Sequence, residues 1–271
     1  MLDQASAAHD QITVRLATTD AEIEAAQKLR YQVFYEEYKA QPTPEITALR
    51  RDFDDYDAYA DHLIVIDHEG GPQNIVGTYR LLRREKADEY GHFYSAQEYD
   101  LTQLLNSGAS LLELGRSCVL PDYRAGSVLQ LLWQGIANYI MDHKIDLMFG
   151  CASLHSTDIE SLAGPLSYMY HYHLAPFGLR PRAVEGRFIN MNMIPQENIE
   201  PRAMFATLPP LIKGYLRIGA LIGDGAVIDP VFNTTDVCIV AQSHMVTKRY
   251  RNHYERKSQK TFPSGETLVE A

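Results

Sequence analysis

The stretch of sequence that decides the fold is Glu113-Leu-Gly-Arg116-Ser-Cys-Val-Leu-Pro-Asp-Tyr-Arg124, and a long apolar segment follows it. Its first part predicts a strand, and a strand turns successive side chains to opposite faces. Glu113 and Arg116 therefore point apart unless a bulge, which Leu114-Gly115 would tolerate, re-aims one of them. Burying charges in an apolar strand is costly, so the pair indicates either a functional site or a satisfied ion pair at a sheet edge.

Periodic patterns on both sides of this stretch predict alternating strands and helices. Residues 12–17 alternate as a strand does, and Thr19 lies three positions before Glu22, the spacing of a capping box that opens a helix through about residue 38. Residues 128–143 carry the apolar stripe of a helix, and the wholly apolar residues 147–151 predict a buried strand. Further strands are predicted at residues 63–67, 75–82, 111–120 and 237–241, and further helices from Ser156 or Thr157 towards His173 and at residues 211–221.

These elements predict one mixed α/β domain built around a single sheet. We expect it to cover residues 12–254, with residues 196–254 as a C-terminal extension, because no linker composition divides the chain. Residues 1–11 and the polar tail at residues 255–271 are expected to be flexible. Asp224-Gly225 has the composition of a turn.

The composition is that of a globular protein of 271 residues, with 45% hydrophobic and 22% charged residues. No run of about 18 apolar residues predicts a membrane-spanning helix, and the N-terminal segment lacks the pattern of a secretory signal. The 3 cysteines lie in apolar runs, as reduced thiols of a cytoplasmic protein do, and the net charge of −10 argues against nucleic-acid binding. We therefore expect a cytoplasmic protein that binds no nucleic acid.

Several motifs also carry a family resemblance. Val119-Leu-Pro-Asp-Tyr-Arg124, between a strand and a helix, resembles the strand-to-helix junction of the GNAT N-acyltransferase superfamily. A second set of motifs resembles the branch of that superfamily that contains the acyl-homoserine-lactone synthases. These motifs are Leu29-Arg30-Tyr-Gln-Val-Phe34, Asp52-Phe-Asp54-Asp55-Tyr-Asp57, His62 and Gly77-Thr-Tyr-Arg80. Two C-terminal motifs resemble the bacterial ornithine N-acyltransferases that make lyso-ornithine lipid. They are Leu208-Pro-Pro-Leu-Ile-Lys-Gly-Tyr-Leu-Arg217 and Asp229-Pro-Val-Phe-Asn-Thr-Thr-Asp236. The resemblance runs from about Ile12 to about Tyr254.

This resemblance implies a GNAT fold and an enzyme that moves a long, 3-hydroxylated acyl chain from acyl carrier protein to the α-amine of L-ornithine. Acyl-phosphopantetheine would be the donor, with no further cofactor and no metal. Two alternatives stay open: an acyl-homoserine-lactone synthase using S-adenosylmethionine, and a non-catalytic acyl-carrier-binding protein on a GNAT scaffold. The lactone synthase would not need the long segment after Pro201.

The resemblance also gathers charged residues at the acceptor end of the cleft. An attacking amine must lose a proton, and Glu113 is the best candidate acceptor, directly or through a water, with Asp57 the next. Arg116 would balance the local charge. The alternative is that this network only orders the loop after the first helix. The implied charged residues are Arg30, Asp54, Asp57, Arg80, Glu113 and Arg116, with Asp55 an equally suitable member, and Phe34 is implied as a substrate-binding residue beside them.

The turn before the second long helix bears on the donor. It reads Arg124-Ala-Gly126-Ser-Val-Leu, with one glycine where acetyl-coenzyme A users of the superfamily have a glycine-rich turn that cradles pyrophosphate. A donor without that pyrophosphate, acyl-phosphopantetheine on acyl carrier protein, fits this departure. We expect the acyl chain in the notch between the strands at residues 111–120 and 147–151.

Two groups of basic residues stand out in this acidic chain. Arg80, Arg83, Arg84 and Lys86 predict a docking site for an acidic carrier protein. The second group predicts peripheral contact with anionic lipids at the inner membrane, and solvated surface is the alternative for both. It consists of Lys248, Arg249, Arg251, Arg256, Lys257 and Lys260.

Asp229 and Asp236 flank Phe232-Asn-Thr-Thr and suit recognition of an ammonium group of a diamino acid. They equally suit the capping of turns, and the sequence leaves both readings open. Cys118 as an acyl-accepting nucleophile is the weaker alternative, because only Arg116 lies near it in sequence to lower the pKa of its thiol.

Overall fold

The computed structural model describes residues 11–71, 74–246 and 248–263. Its strands are β1 (Ile12–Leu16), β2 (Asp61–Asp67), β3 (Ile75–Arg83), β4 (Tyr99–Asp100), β5 (Leu111–Val119), β6 (Leu147–Leu154), β7 (Arg182–Ala183), β8 (Leu221–Asp229) and β9 (Thr234–Gln242). Its α-helices are α1 (Asp20–Tyr31), α2 (Pro44–Leu49), α3 (Arg84–Tyr90), α4 (Thr102–Leu105), α5 (Val128–His143), α6 (Ala163–His173), α7 (Pro201–Thr207), α8 (Pro210–Arg217) and α9 (Lys248–Ser258). The mixed α/β class that the sequence predicts is confirmed.

The elements form two compact units, and neither is continuous in sequence. The first unit comprises the residues up to Tyr90 together with Leu114–Tyr139. The second comprises Gly91–Glu113 and the residues from Ile140 onwards. Strand β5 and helix α5 each contribute residues to both units. Of the described residues, no helix is both long and apolar enough to cross a membrane.

In the first unit the strands follow the order β1-β2-β3-β5, and β2 pairs antiparallel with both β1 and β3. Helix α1 begins where the sequence predicts, because the Thr19 hydroxyl accepts the backbone N–H of Glu22 at 3.3 Å. After Tyr31 it continues as a π-helical segment, Gln32–Glu37. The core between this helix and the sheet consists of Ala26, Leu29, Val33, Ile64, Ile66, Ile75 and Cys118.

Helix α5 has the bounds that its apolar stripe predicts. A short 3₁₀ turn, Pro121–Tyr123, leads into it from β5. A Cβ atom on Gly135 would lie 2.7 Å from a methyl group of Leu63, so only glycine lets the helix lie this close to β2. This close contact fixes the position of the strand–helix junction that the opening motif encodes.

Strand β5 contains a local distortion at the motif itself. Arg116 has a φ of 49°, in the left-handed region that side chains other than glycine rarely adopt. The predicted irregularity at Leu114-Gly115 therefore falls one residue later, on the arginine. Such a conformation costs about 1–3 kcal/mol and persists only when surrounding contacts hold it.

In the second unit the strands follow the order β5-β6-β9-β8-β7-β4. Strand β5 pairs in parallel with β6 from Leu111 opposite Leu147 to Glu113 opposite Phe149. Strand β9 lies antiparallel between β6 and β8. Residues 196–254, which the sequence predicts as a C-terminal extension, thus supply strands β8 and β9 of this sheet.

Two local predictions differ from the structure. Asp224 and Gly225 lie inside β8, where the register with β9 shifts between Ile222 and Ala226, so they form a strand irregularity and not a turn. Ser156 and Thr157 do not cap the next helix, because α6 begins at Ala163. The Ser156 hydroxyl instead accepts the backbone N–H of Asp158 at 3.0 Å. The predicted flexible N-terminus lies, except for Gln11, outside the described residues, as do residues 264–271 of the tail.

Candidate active site

The first unit contains a cluster of oppositely charged side chains at the positions that the sequence motifs single out. Three arginines come from three separate elements, and three aspartates come from the loop before β2. All six side chains lie at least three-quarters buried. We refer to them as the arginine–aspartate cluster: Arg30 on α1, Arg80 on β3, Arg116 on β5, and Asp52, Asp54 and Asp57.

Arg30 and Asp57 form the centre of this cluster. The Arg30 guanidinium donates to both oxygens of Asp57, from Nη1 at 3.0 Å and from Nη2 at 2.6 Å. Gln27, on the same helix, donates a further hydrogen bond to Asp57 Oδ2 at 2.9 Å. Arg30 Nη2 also reaches the backbone carbonyl of Asp52 at 2.5 Å. The bidentate geometry fixes the loop against α1.

Arg80 and Arg116 extend the cluster to Asp54. Arg80 Nη1 donates to Asp54 at 2.5 Å and to Asp57 at 3.0 Å. Arg116 donates from Nε to Asp52 at 3.2 Å and from Nη2 to Asp54 at 3.0 Å. The left-handed backbone of Arg116 is therefore accompanied by two charge-assisted hydrogen bonds.

The electrostatics of the cluster favour ionised aspartates. Burial raises the pKa of Asp52, but the attraction of Arg116, Arg30 and Arg80 outweighs it, so the pKa is lowered. For Asp57 the same balance of burial against Arg30 lowers the pKa well below its usual range. A carboxylate with such a low pKa, already accepting four hydrogen bonds, is a poor proton acceptor at neutral pH.

Two residues that the sequence places with the cluster, Asp55 and Phe34, lie outside its hydrogen-bond network. Asp55 is exposed and begins the short 3₁₀ helix Asp55–Ala58. Phe34 is partly buried and packs against the hydrophobic core beside α1. His62 is buried, and its ring lies 3.0 Å from the backbone carbonyl of Asp57. Burial lowers the pKa of His62.

Glu113 belongs to the second unit and is 4% exposed. Its Oε2 accepts the backbone N–H of Tyr94 at 2.9 Å, and its Oε1 accepts that of Ser95 at 2.6 Å. Both oxygens thus bind the start of a 3₁₀ helix, Tyr94–Gln97. Glu113 holds in place the segment that leads directly to Glu98.

Glu98, Asp229 and Asp236 form a second charged group in the second unit, the carboxylate trio. One oxygen of each lies within 4.8 Å of one oxygen of each of the others, and all three residues are buried. The β8–β9 hairpin brings the two aspartates together, since Val227 pairs with Asp236 and Asp229 with Thr234. Sequence analysis selected Asp229 and Asp236 but not Glu98.

Among the described residues, the three carboxylates of the trio have one cationic partner, Arg187. Arg187 donates to Glu98 Oε1 at 3.1 Å, and Asp229 Oδ1 accepts the backbone N–H groups of Val231 at 2.7 Å and Phe232 at 3.1 Å. Among the described residues, Glu98 Oε2 and Asp236 Oδ1 have no hydrogen-bond partner. Such unpaired buried oxygens are costly.

Burial and repulsion between carboxylates raise the pKa of two members of the trio, Asp236 and Glu98. Burial, reinforced by the charge of Glu98, raises the pKa of Asp236 to about 7. Burial is also the main cause that raises the pKa of Glu98. The donor set of three carboxylates suits a cation, either an ammonium group or a hard metal ion.

The residues predicted to dock a carrier protein lie on and beside α3. Arg83 pairs with Glu85, and its Nε lies 3.8 Å from Asp61. Arg80 is buried in the arginine–aspartate cluster and is not available to a surface partner. The two remaining residues form exposed ion pairs along the helix, Arg84 with Asp88 at 3.7 Å and Lys86 with Glu89 at 2.9 Å.

Asp52 and Glu98 are the site residues that sequence reasoning missed. Asp52 is the first residue of the acidic motif Asp52–Asp57, and this position could have identified it as a site residue. Glu98 lies between Gln97 and Tyr99, in a stretch without periodicity, and no spacing pointed to it.

Comparisons with known proteins relate the chain to acyltransferases. Residues 29–134 match the family described as Acetyltransferase (GNAT) domain. The L-ornithine N(alpha)-acyltransferase of Rhodobacter capsulatus is 44% identical over 247 residues, which covers 90% of this chain and 95% of that protein. The enzyme of the same name from Rhizobium meliloti is 47% identical over 254 residues, covering 90% of this chain and 84% of its own length. Among solved structures, the CoA-dependent acyl-homoserine lactone synthase BjaI aligns with a TM-score of 0.48 at 13% identity, over 94% of this chain and 90% of that one.

Proposed function

Because the chain belongs to the family of L-ornithine N(alpha)-acyltransferases, we propose that it transfers an acyl group to the α-amine of L-ornithine. The observation that carries this proposal is identity of 44% to the Rhodobacter capsulatus enzyme over nearly the whole length of both proteins. The proposed donor is a 3-hydroxyacyl chain on the phosphopantetheine of acyl carrier protein, and the proposed product is lyso-ornithine lipid.

The proposed reaction is an acyl transfer from sulfur to nitrogen. The neutral α-amine attacks the thioester carbonyl carbon, the C–N bond forms, and the C–S bond breaks. The amine loses one proton to a base, and the phosphopantetheine leaves as the thiol after taking up a proton. The amine is largely protonated at neutral pH, so a proton acceptor near it increases the reactive fraction.

We propose Glu113 as that proton acceptor, directly or through a water. Its burial and its place in the family motif support this role. Its two hydrogen bonds to the backbone of Tyr94 and Ser95 give it a second role, because they hold the segment before Glu98. The substitution E113Q removes the proton acceptor and also turns an amide NH₂ towards one of these two N–H groups.

Two measurements separate the roles of Glu113. Loss of the base should reduce kcat about a hundredfold or more and remove the acidic limb of the rate–pH profile, with donor binding nearly unchanged. Loss of positioning should lower Tm and weaken acceptor binding. If the acidic limb survives in E113Q, another group accepts the proton.

The arginine–aspartate cluster, in this proposal, orders the loop of the first unit that contacts the substrate. Arg30 and Arg80 are almost fully buried and hold the loop through Asp57. Asp54 has the largest exposed fraction in the cluster, 24% against 14% for Arg116. We therefore assign substrate contact to Asp54, with the exposed Asp55 and the half-buried Phe34 beside it, and loop positioning to the arginines.

The turn before α5 supports a carrier-bound donor. A Cβ atom on Gly126 would meet only the carbonyl oxygen of Tyr123, at an ordinary 3.5 Å, so close packing does not require a glycine there. The Arg124 guanidinium is paired with the Glu37 carboxylate at 2.6 Å. Arg83, Arg84 and Lys86 remain the proposed docking residues for the acidic carrier protein.

Product analysis tests the proposal as a whole. Purified protein with ornithine and 3-hydroxyacyl carrier protein should yield lyso-ornithine lipid, detected by mass spectrometry. The same acyl chain on coenzyme A should be used with a much lower kcat/KM. Absence of product with every amino acid acceptor would refute the proposed function, and equal use of both thioesters would refute the carrier-specific donor.

We also propose that the protein works in the cytoplasm at the inner membrane surface, where its lipid product leaves. The basic helix α9 supports this placement: Arg256 is exposed, whereas Arg251 bonds to the carbonyl of His244 at 3.3 Å. Binding to vesicles with anionic lipid should exceed binding to neutral vesicles and weaken with salt. Equal binding to both would refute this placement.

A further inference from the structure

The carboxylate trio combines excess negative charge with unused hydrogen-bonding capacity. Glu98 and Asp236 are 4% and 6% exposed, yet Glu98 Oε2 and Asp236 Oδ1 have no hydrogen-bond partner among the described residues. Interiors rarely leave carboxylate oxygens unpaired, because removing them from water without a partner is costly. These oxygens therefore point to a cationic ligand that completes their hydrogen bonding.

The charges of the trio leave room for one more positive charge. Arg187 neutralises Glu98 in part, at 3.1 Å, and it is the one cationic side chain paired with the trio among the described residues. The raised pKa values of Asp236 and Glu98 agree with this excess of negative charge. A monovalent cation would complete the balance.

The geometry matches a primary ammonium group. An ammonium carries three N–H donors, and the trio offers one oxygen from each of three carboxylates, all within 4.8 Å of one another. The Arg187 side chain beside Glu98 is 35% exposed, so the trio is not sealed by a fully buried arginine.

We propose that the carboxylate trio binds the side-chain ammonium of the ornithine acceptor, with Glu98 as a specificity-determining residue. This inference rests on the proposed function. The α-amine must be neutral to react, so the δ-amine is the group that can be recognised as a cation throughout the reaction. Glu113 contributes indirectly as a positioning residue, since it holds the Tyr94–Gln97 helix that ends at Glu98.

The experiment compares two acceptors with one donor. Norvaline has the carbon skeleton of ornithine without the δ-amine, and both are assayed with the same 3-hydroxyacyl carrier protein. The wild-type protein should prefer ornithine by about a hundredfold or more in kcat/KM. In E98Q and in D236N, kcat/KM for ornithine should fall about 10- to 100-fold, while that for norvaline stays unchanged or rises.

A matched control and a folding measurement accompany the variants. Asp100 is an exposed carboxylate two residues from Glu98, and D100N should leave both acceptors unaffected. Both variants relieve repulsion between buried carboxylates, but E98Q also removes the charge that pairs with Arg187, so it is D236N that should keep the wild-type Tm or exceed it. If one of them fails to fold, the other decides.

Three results would overturn the inference. The first is an equal fall for ornithine and norvaline, or no fall for either. The second is activity that a chelator abolishes and Mg²⁺ restores in the wild-type protein but not in the variants, which would make the trio a metal site. The third is wild-type protein that acylates no amino acid, which would refute the proposed function and this inference together. Ornithine acylation with unchanged selectivity in the variants would refute the inference alone.

Discussion

Replacing Asp57 with asparagine should destabilise the first unit more than any exposed substitution. Asp57 accepts hydrogen bonds from Gln27, from both Nη atoms of Arg30 and from Arg80. The asparagine NH₂ would face a donor of Arg30, and the three arginines of the cluster would be left with two aspartates. Removing one partner from a buried ion pair costs about 3–5 kcal/mol, which for a chain of this size lowers Tm by about 6–20 °C.

The pH dependence of this loss follows from the lowered pKa of Asp57. Its folded-state pKa lies below that of an unfolded aspartate, about 3.9, so the ionised carboxylate stabilises the fold fully above that pH. As the pH falls through the folded value, the contribution disappears. The difference in stability between wild type and D57N should therefore be largest near neutral pH and shrink below about pH 4.

Urea unfolding and thermal scans at several pH values measure this difference. The matched control is D55N, two residues away on the exposed side of the same loop, which should change stability by less than about 0.5 kcal/mol. A loss in D57N no larger than in D55N would contradict a stabilising role for the cluster. If the loss of stability in D57N does not vary with pH, its cause is packing rather than charge.

Three further predictions concern surface charge, backbone strain and a buried thiol. Charge reversal at Arg84 and Lys86 should raise the KM for the carrier-bound donor about tenfold at low salt without changing Tm, and equal loss at all salt concentrations would contradict docking there. Alanine at Gly225 should cost about 1–3 kcal/mol in urea unfolding, because φ is 86° and the added Cβ would lie 2.5 Å from the Phe188 ring; an unchanged midpoint would contradict this. Cys118 is buried, which raises the pKa of its thiol to about 12, so an alkylating reagent should modify it only as the protein unfolds, and rapid native-state modification would contradict this.

Elements with a strong apolar period could be predicted from the sequence. Helix α5 has the predicted bounds because its apolar stripe is continuous over Val128–His143. The Thr19 cap of α1 could also be predicted, because a hydroxyl three residues before Glu22 has the spacing of a capping box at the start of a helix. The motifs also implied that five charged residues lie close together, and the structure shows this for Arg30, Arg80, Arg116, Asp54 and Asp57.

Features that depend on long-range contacts could not be predicted. Strand β8 was missed because Gly223-Asp224-Gly225 has turn composition, and only its pairing with β9 makes it a strand. Glu98 became a site residue only when the chain folded it against the β8–β9 hairpin, 131 residues before Asp229 in sequence. The left-handed backbone at Arg116, and not at the glycine beside it, depends on partners more than 60 positions away.

The position of β9 makes completion of the second unit depend on the timing of translation. β6 pairs with β9 along its full length, from Leu147 to Leu154, yet β9 starts at Thr234, 80 positions after Leu154. At typical ribosome speeds this interval lasts roughly 4–16 s. Until then β6 exposes an unpaired strand edge, which readily recruits other chains. A ribosome stalled before residue 234 would therefore carry a nascent chain that is prone to aggregate, whereas the first unit has all of its residues once Tyr139 has been added.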